Sequence, residues 1–303
     1  MNKKQEKPLL VIITGPTAVG KTNLCIDLAL EYNTEILSCD SRQFYKEISI
    51  GTAKPTKSEL AKVKHHFIEH LSVKDYYNVS EYEDDAIQKL DNLFKKKNIV
   101  FMTGGSGLYI DAVCNGIDSL PNPSAELRKK LKDKYEDEGI ESIQKHLKEI
   151  DPEYYDIVDI KNPNRILRAL EVCIESGEKY SELRKSIKKE RSFRILKIVL
   201  NIERQELFQR INYRVDIMIK NGLLDEVKNV FLLKDYNALK TVGYREIFAY
   251  LENEIELNQA IENIKTNTRR YAKRQLTWLK KDSEYHWFSP NQKKEIIELI
   301  NSY

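Results

Sequence analysis

Eight residues, Gly15-Pro16-Thr17-Ala18-Val19-Gly20-Lys21-Thr22, carry the densest chemistry in the chain. They fit G-x-x-x-x-G-K-[ST] in full. In such a loop the backbone N–H groups and the N-terminus of the following helix converge on a phosphate group. Lys21 adds a point charge there, and the Thr22 hydroxyl can hold Mg2+. The pattern implies a bound di- or triphosphate without saying which. Asp40 closes a short, mostly apolar stretch, Ile36-Leu37-Ser38-Cys39. Three roles stay open for it: a Mg2+ ligand like the Walker-B acid of an NTPase, a base or hydrogen-bond acceptor aimed at an acceptor substrate, or a helix N-cap. Gly104-Gly105-Ser106-Gly107 lets the backbone pass close to a ligand, and a plain strand-to-helix turn explains it equally well. Arg210 and Arg214 stand four apart on an expected helix and share a face, which suits a phosphate clamp or, more commonly, a solvated surface. His65, His66 and His70 have no carboxylate or cysteine at ligand spacing and read as structural.

Residues 265–281 form the clearest basic feature. Lys265, Arg269, Arg270, Lys273, Arg274, Lys280 and Lys281 give seven positive charges and no negative one. On a helix, Lys265, Arg269 and Lys273 make a stripe at i, i+4, i+8, while Ile264, Thr268, Tyr271 and Trp278 are expected to face the core. The stripe suits a nucleic-acid backbone better than a snorkelling solvated face. A second basic stretch runs from Arg184 to Arg194, and the offsetting acids lie mainly in 75–85 and 133–159.

Such loops need strands and helices to aim them. Leu9–Thr14 is an apolar run of strand length, and Leu24, Ile26, Leu28, Ala29 and Leu30 suit a buried helix after the phosphate loop. Residues 35–40 and 98–103 read as further strands, and 79–97 as a helix capped by Ser80. Strands alternating with helices, with the polar loops at the strands' C-terminal ends, predict a parallel α/β sheet like that of P-loop NTPases. From about 118 the texture changes: Pro121-Asn122-Pro123 breaks the chain, and the stretch to 193 is charged and helical. Residues 195–200 then read as a strand returning to the sheet, with 286–288 as a last one. The expected organisation is a core of 1–117 and 194–303 with a helical insertion at 118–193.

With 303 residues the chain is long enough for a sizeable core. Fifty Lys and Arg against 47 Asp and Glu leave +3, which excludes a uniformly basic nucleic-acid coat but not a local patch. The longest apolar run, Leu9 to Ile13, is too short for a membrane span or a signal-peptide core. Cysteines at 25, 39, 114 and 173 include no Cys-x-x-Cys pair, so no disulfide framework or zinc site is expected. These features predict a cytoplasmic protein. With no obvious dimer seam, a monomer is expected.

Several segments together resemble the bacterial tRNA dimethylallyltransferase (tRNA isopentenyltransferase) family. They are the phosphate loop, Asp40-Ser41-Arg42-Gln43-Phe44-Tyr45, Ile50-Gly51-Thr52-Ala53-Lys54-Pro55, Gly104 to Tyr109, Asn164 to Val172, Arg210 to Arg214, Val242-Gly243-Tyr244-Arg245 and Ala272 to Trp278. They run in the family's order from residue 9 to about 288. D-S-R-Q-x-Y with I-G-T-A-K-P is the specific part.

The resemblance implies transfer of a dimethylallyl group from dimethylallyl diphosphate to the exocyclic amine of the adenine 3′ of certain tRNA anticodons. Under it the phosphate loop holds the diphosphate leaving group. Lys21, Arg214 and Mg2+ on Thr22 stabilise that group's charge, and Asp40 accepts a hydrogen bond or proton from the amine. It further implies tRNA contacts from Asp40, Ser41, Arg42, Gln43, Ser106, Arg128, Asn164, Arg165, Ile166, Leu167, Arg168, Thr241, Val242, Gly243, Tyr244, Arg245 and Glu246, with the insertion gripping the anticodon stem-loop. Where this chain has Ser106 the family often has Thr, which keeps the hydroxyl and changes the channel's shape. Eukaryotic members carry a C-terminal zinc finger, and the end at 303 without one suits the bacterial type. Two other readings compete: a P-loop small-molecule kinase with Arg210 and Arg214 in a closing lid, and an RNA-binding P-loop protein without prenyl chemistry.

Overall fold

The computed structural model describes residues 7–303 except 186. The basic Met1-Asn2-Lys3-Lys4 and Ser186, inside the second basic stretch, lie outside the described residues. The first unit begins with β1 (Leu9–Thr14), α1 (Lys21–Glu31), β2 (Ile36–Ser38), α2 (Lys57–Lys62), β3 (His65–His66), α3 (Val79–Phe94), β4 (Ile99–Gly104) and α4 (Gly107–Asn115). A run of helices follows: α5 (Ala125–Glu138), α6 (Ile140–Ile150), α7 (Pro152–Ile157), α8 (Pro163–Ser176) and α9 (Tyr180–Leu183). The chain then returns through β5 (Arg194–Leu200), α10 (Arg204–Lys220), α11 (Leu223–Asn229), α12 (Tyr244–Leu251), α13 (Leu257–Leu279), β6 (His286–Phe288) and α14 (Lys293–Ser302).

All six strands are parallel, in the order β3-β2-β4-β1-β5-β6. A central parallel strand is covered on both faces, so all six residues of β1 are apolar or buried. The period of two then divides them. Leu10 and Ile12 join the apolar cluster that includes residues of α3, α4, α12 and α13, while Leu9, Val11 and Ile13 join the one containing α1 and α14. The phosphate loop, the Asp40 turn and the Gly104–Gly107 loop all follow the C-terminal ends of strands, where open α/β sheets bind their ligands.

Strand β2 is shorter than 35–40, and Asp40 stands beyond it in a turn. Helix α3 ends at Phe94, and its cap is Asn78 rather than Ser80. The Asn78 side chain accepts from the N–H groups of Ser80 and Glu81, while Glu81 reaches back to Asn78 N–H, a capping box two residues earlier than the sequence suggested.

The chain divides into two compact units, one running up to Cys114 and resuming at Arg191, the other comprising residues 115–190. Each border falls three residues before the expected one, for a local reason. Arg191 is already tied to the α/β unit, donating to the carbonyls of Ala112 and Val113 at the end of α4 and pairing with buried Glu83 at 2.7 Å. Within the helical unit, α5 to α8 close over one cluster that includes Leu131, Ile143, Leu147, Ile166 and Leu170. Asp151, fully buried, caps α7 and accepts from Ser181.

Candidate active site

A cavity of about 290 Å3 opens beside the phosphate loop. Its walls include Thr17, Lys21, Thr22, Asp40, Gln43, Arg214, Tyr271 and Gln275. Gly20, at φ 107°, turns the chain into α1 in the left-handed region that glycine adopts without strain, and no side chain caps that helix N-terminus. Its first N–H groups therefore face a prospective anion. Lys21 folds back over the loop, donating to the carbonyls of Gly15 and Pro16, each at 2.9 Å. Burial, helped by the Arg214 guanidinium, pulls its ammonium down to about 8, and Asp40 opposes the shift. Arg214 donates to Thr17 Oγ1 at 3.4 Å, and the carboxylate of Asp40 offsets part of its burial.

The arginine pair splits in role. Only Arg214 lines the cavity; Arg210 is held by Glu206 and reaches the carbonyl of Val19 at 3.4 Å. Leu207, Ile211 and Val215 root this helix in the core, so Arg214 belongs to a packed element and not to a solvated face or a hinged lid.

Asp40 both closes a turn and lines the cavity. Its Oδ1 accepts from the N–H of Arg42 at 3.0 Å and its carbonyl from Gln43 N–H at 3.0 Å, so it caps a turn rather than a helix. The same carboxylate lines the cavity. Burial raises its pKa, while the Arg42 N–H, the Lys21 charge and the Arg42 charge oppose the shift.

Long-range ties hold the loops around this centre. The side chain of Gln275 accepts from Thr17 N–H at 2.9 Å and donates to the carbonyl of Gly105 at 2.9 Å, joining the phosphate loop to the glycine-rich loop. Gly105 is required for this, since a Cβ there would stand 2.2 Å from the Gln275 amide nitrogen. Ser106 Oγ accepts from Ser41 N–H at 3.1 Å. Gln43 donates to the carbonyls of Thr52 and Ala53. Glu226 accepts from the N–H groups of Ser49, Ile50 and Gly51 and from the Tyr244 hydroxyl, fixing the I-G-T-A-K-P segment. Gln275, Tyr271 and Glu226 had not been singled out as site residues. The first two lie in or beside the Ala272–Trp278 segment, which was the available signal; nothing in the local sequence around Glu226 marks it.

Several residues to which the resemblance gives tRNA contacts are held within the fold. Tyr244 and Glu246 are buried, the latter accepting from Gly243 N–H and Asn267. Gly243 is likewise buried, Val242 packs on the core, and Thr241 N–H donates to Leu239. In the helical unit Ile166 is fully buried and Leu167 packs on the same cluster. Asn164 and Arg165 are exposed, Arg168 donates to the carbonyl of Pro121 and pairs with Glu171, and Arg128 is partly buried. Arg42 is turned to the carbonyls of Asn237 and Ala238, and Arg245 is exposed.

The basic stripe on α13 is also less uniform than its sequence. Lys265 pairs with Asp216 of α10 at 2.8 Å and with Glu262 at 3.0 Å, and Arg269 bonds Asn212 and Thr266. Arg270, Lys273, Arg274, Lys280 and Lys281 remain exposed. Trp278 is exposed rather than core-facing, and Tyr271 lines the cavity. His65 Nδ1 bonds the Val63 carbonyl, and His66 bonds Glu35 at 2.7 Å. Among the described residues no three His, Cys, Asp or Glu side chains form a metal cluster.

A phosphate loop between a buried parallel strand and an uncapped helix, with a partly buried acid, a lysine and an arginine in one cavity, defines a P-loop protein of the α/β class. The IPP transferase family matches residues 43–282. A "tRNA dimethylallyltransferase 1" of Bacteroides thetaiotaomicron is 49% identical over 97% of this chain and 95% of its own length. Among solved structures, the tRNA isopentenylpyrophosphate transferase of Bacillus halodurans superposes with a TM-score of 0.72 at 33% identity, over 98% of this chain and 96% of that one. A eukaryotic dimethylallyltransferase acting on tRNA superposes at 0.77 with 27% identity, covering 93% of this chain and 74% of the other. The chain belongs to the IPP transferase family.

Proposed function

We propose that this chain transfers a dimethylallyl group from dimethylallyl diphosphate to the exocyclic amine of the adenine 3′ of the anticodon in tRNA. The relatives support the reaction class. The observation that carries the chemistry is the convergence of Lys21, Arg214 and Asp40 on one cavity. The diphosphate rests on the loop N–H groups, with Lys21 and Arg214 taking up the charge that grows as the allylic C–O bond breaks. As the new C–N bond forms, the amine loses a proton to Asp40, whose burial makes it a stronger base than an exposed carboxylate. The target base enters the cavity unstacked, as base-modifying enzymes require.

The Thr22 hydroxyl lines the cavity with no protein partner among the described residues, a hard-oxygen donor that suits Mg2+. When bound on Thr22, Mg2+ supplies further positive charge to the leaving diphosphate. The helical unit, with exposed Asn164, Arg165 and the basic stretch from Arg184, grips the anticodon stem-loop. A small-molecule kinase is not favoured: the relatives are tRNA-modifying transferases, and the helix bearing Arg214 is packed into the core.

The test is the purified protein with Mg2+, unmodified tRNA and labelled dimethylallyl diphosphate. Label in the tRNA is expected. Label entering a product only from the γ-phosphate of ATP overturns the proposal in favour of the kinase.

A further inference from the structure

Tyr271 lines the same cavity as Asp40, Thr17 and Gln275. It stands one helical turn before Gln275 on α13, and the Arg274 guanidinium lies 5.8 Å from its ring centre. Its hydroxyl has no hydrogen-bond partner among the described residues, although phenols in such partly buried places ordinarily find one. Burial and the nearby Asp40 charge push the phenol up, so it stays a protonated donor. Asp40, also a wall of the cavity, has one oxygen engaged, by Arg42 N–H, and the other without a hydrogen bond among the described residues. The cavity therefore holds one open acceptor and one open donor close enough to feel each other's charge, and not bonded to each other.

On the proposed transfer to adenine, this pairing has a specific complement. Adenine presents its 6-amino donor beside a ring-nitrogen acceptor on either side, N1 or N7. Guanine carries an acceptor oxygen at position 6 and a donor at N1, which faces acceptor with acceptor and donor with donor. We infer that Asp40 and Tyr271 read the base together: Asp40 accepts from the 6-amino group while the Tyr271 hydroxyl donates to the ring nitrogen beside it. Two hydrogen bonds fix the plane of an extruded base where one would let it swing, so the amine is aimed at the allylic carbon. Leaving either group unpaired on the wrong base carries the desolvation cost that makes polar sites selective.

The test is a cycle of enzyme and substrate changes. Wild type and Tyr271→Phe are compared on anticodon stem-loops carrying adenosine, 1-deazaadenosine or 7-deazaadenosine at the target position. Phenylalanine keeps the ring and its packing, so folding is preserved. With adenosine, Tyr271→Phe lowers kcat/KM about 10-fold. With one of the deaza bases the wild type loses a similar factor, and the variant loses little more than it had already lost. The altered reactivity of a deaza amine is common to both enzymes and cancels in the cycle. If both deaza losses multiply with the Tyr271→Phe loss, or if Tyr271→Phe is silent on adenosine, the hydroxyl does not touch the ring nitrogen and the inference fails. No transfer by wild type to adenosine would be a different failure, that of the transferase reading itself.

Discussion

In the α/β unit the polar side chains around the cavity are bound to backbone far away in sequence. Gln275 holds two loops, Glu226 holds three consecutive N–H groups, and Arg42 holds two carbonyls. In the helical unit many charged side chains stand in solvent or form short-range pairs, such as Lys132 with Glu136 and Arg168 with Glu171, with buried Asp151 and the Arg168 bond to the Pro121 carbonyl as exceptions. Bond-making at an allylic carbon needs donors fixed to a fraction of an ångström, which many crossing hydrogen bonds provide. Attraction to a phosphate backbone falls off over about 10 Å at ordinary salt and tolerates a moving side chain. Under the proposed transfer, tied side chains supply geometry and solvated ones supply field, and each substitution below tests which side of that division a residue is on.

The largest effect is expected at the proposed base, whose carboxylate is fixed by the Arg42 N–H. Asp40→Ala is expected to lower transfer about 1,000-fold while leaving tRNA binding within a few-fold. Equal losses of rate and binding would make Asp40 a grip rather than a base. Gln275→Leu comes next. It removes both 2.9 Å ties between the phosphate loop and the Gly105 loop and leaves an apolar side chain of similar size. A fall in kcat of about 100-fold is expected, with tRNA affinity unchanged, because misplacement by about 1 Å is enough for that loss. A change confined to tRNA affinity would show that the tie serves binding.

A third test uses the charge that burial has weakened. Lys21, brought down to about 8, is protonated below that pH and neutral above it. For the free enzyme, kcat/KM for the diphosphate donor should therefore fall by up to about 10-fold per unit as pH rises through about 8. Lys21→Arg keeps its charge throughout, so its profile should lose this alkaline limb even if its rate is lower. A limb that survives in Lys21→Arg belongs to another group.

What could be read in advance follows the same division. The phosphate loop, β1 and the parallel architecture were legible because they depend on residue types at fixed short spacing and on continuous apolar runs. The insertion was legible only as a charged, helical stretch and not as separate helices. Gln275 reaches Thr17 across 258 positions and Glu226 reaches Gly51 across 175. No local pattern marks such partners, and a polar residue on a helix looks the same whether it ties a loop or faces water. Tyr271 was expected in the core because it is aromatic on the inward face of α13, and a cavity wall shares that face.

The basic stripe on α13 gives the smallest effect and the finest discrimination. By sequence, Lys265 and Lys273 were equal members of one repeat. In the folded chain Lys265 is held between Asp216 and Glu262, while Lys273 is exposed and makes no ion pair among the described residues. A lysine already neutralised by two carboxylates displaces few counterions from RNA, whereas an unpaired one displaces about one. Lys273→Gln should weaken tRNA binding about 3-fold and reduce the slope of log affinity against log salt by about one. Lys265→Gln should leave that slope unchanged, whatever it does to the packing of α13 on α10. Equal slopes for the two variants would show that the acids of α10 and α13 let go of Lys265 when RNA arrives. The stripe would then act as one field, as its spacing first suggested.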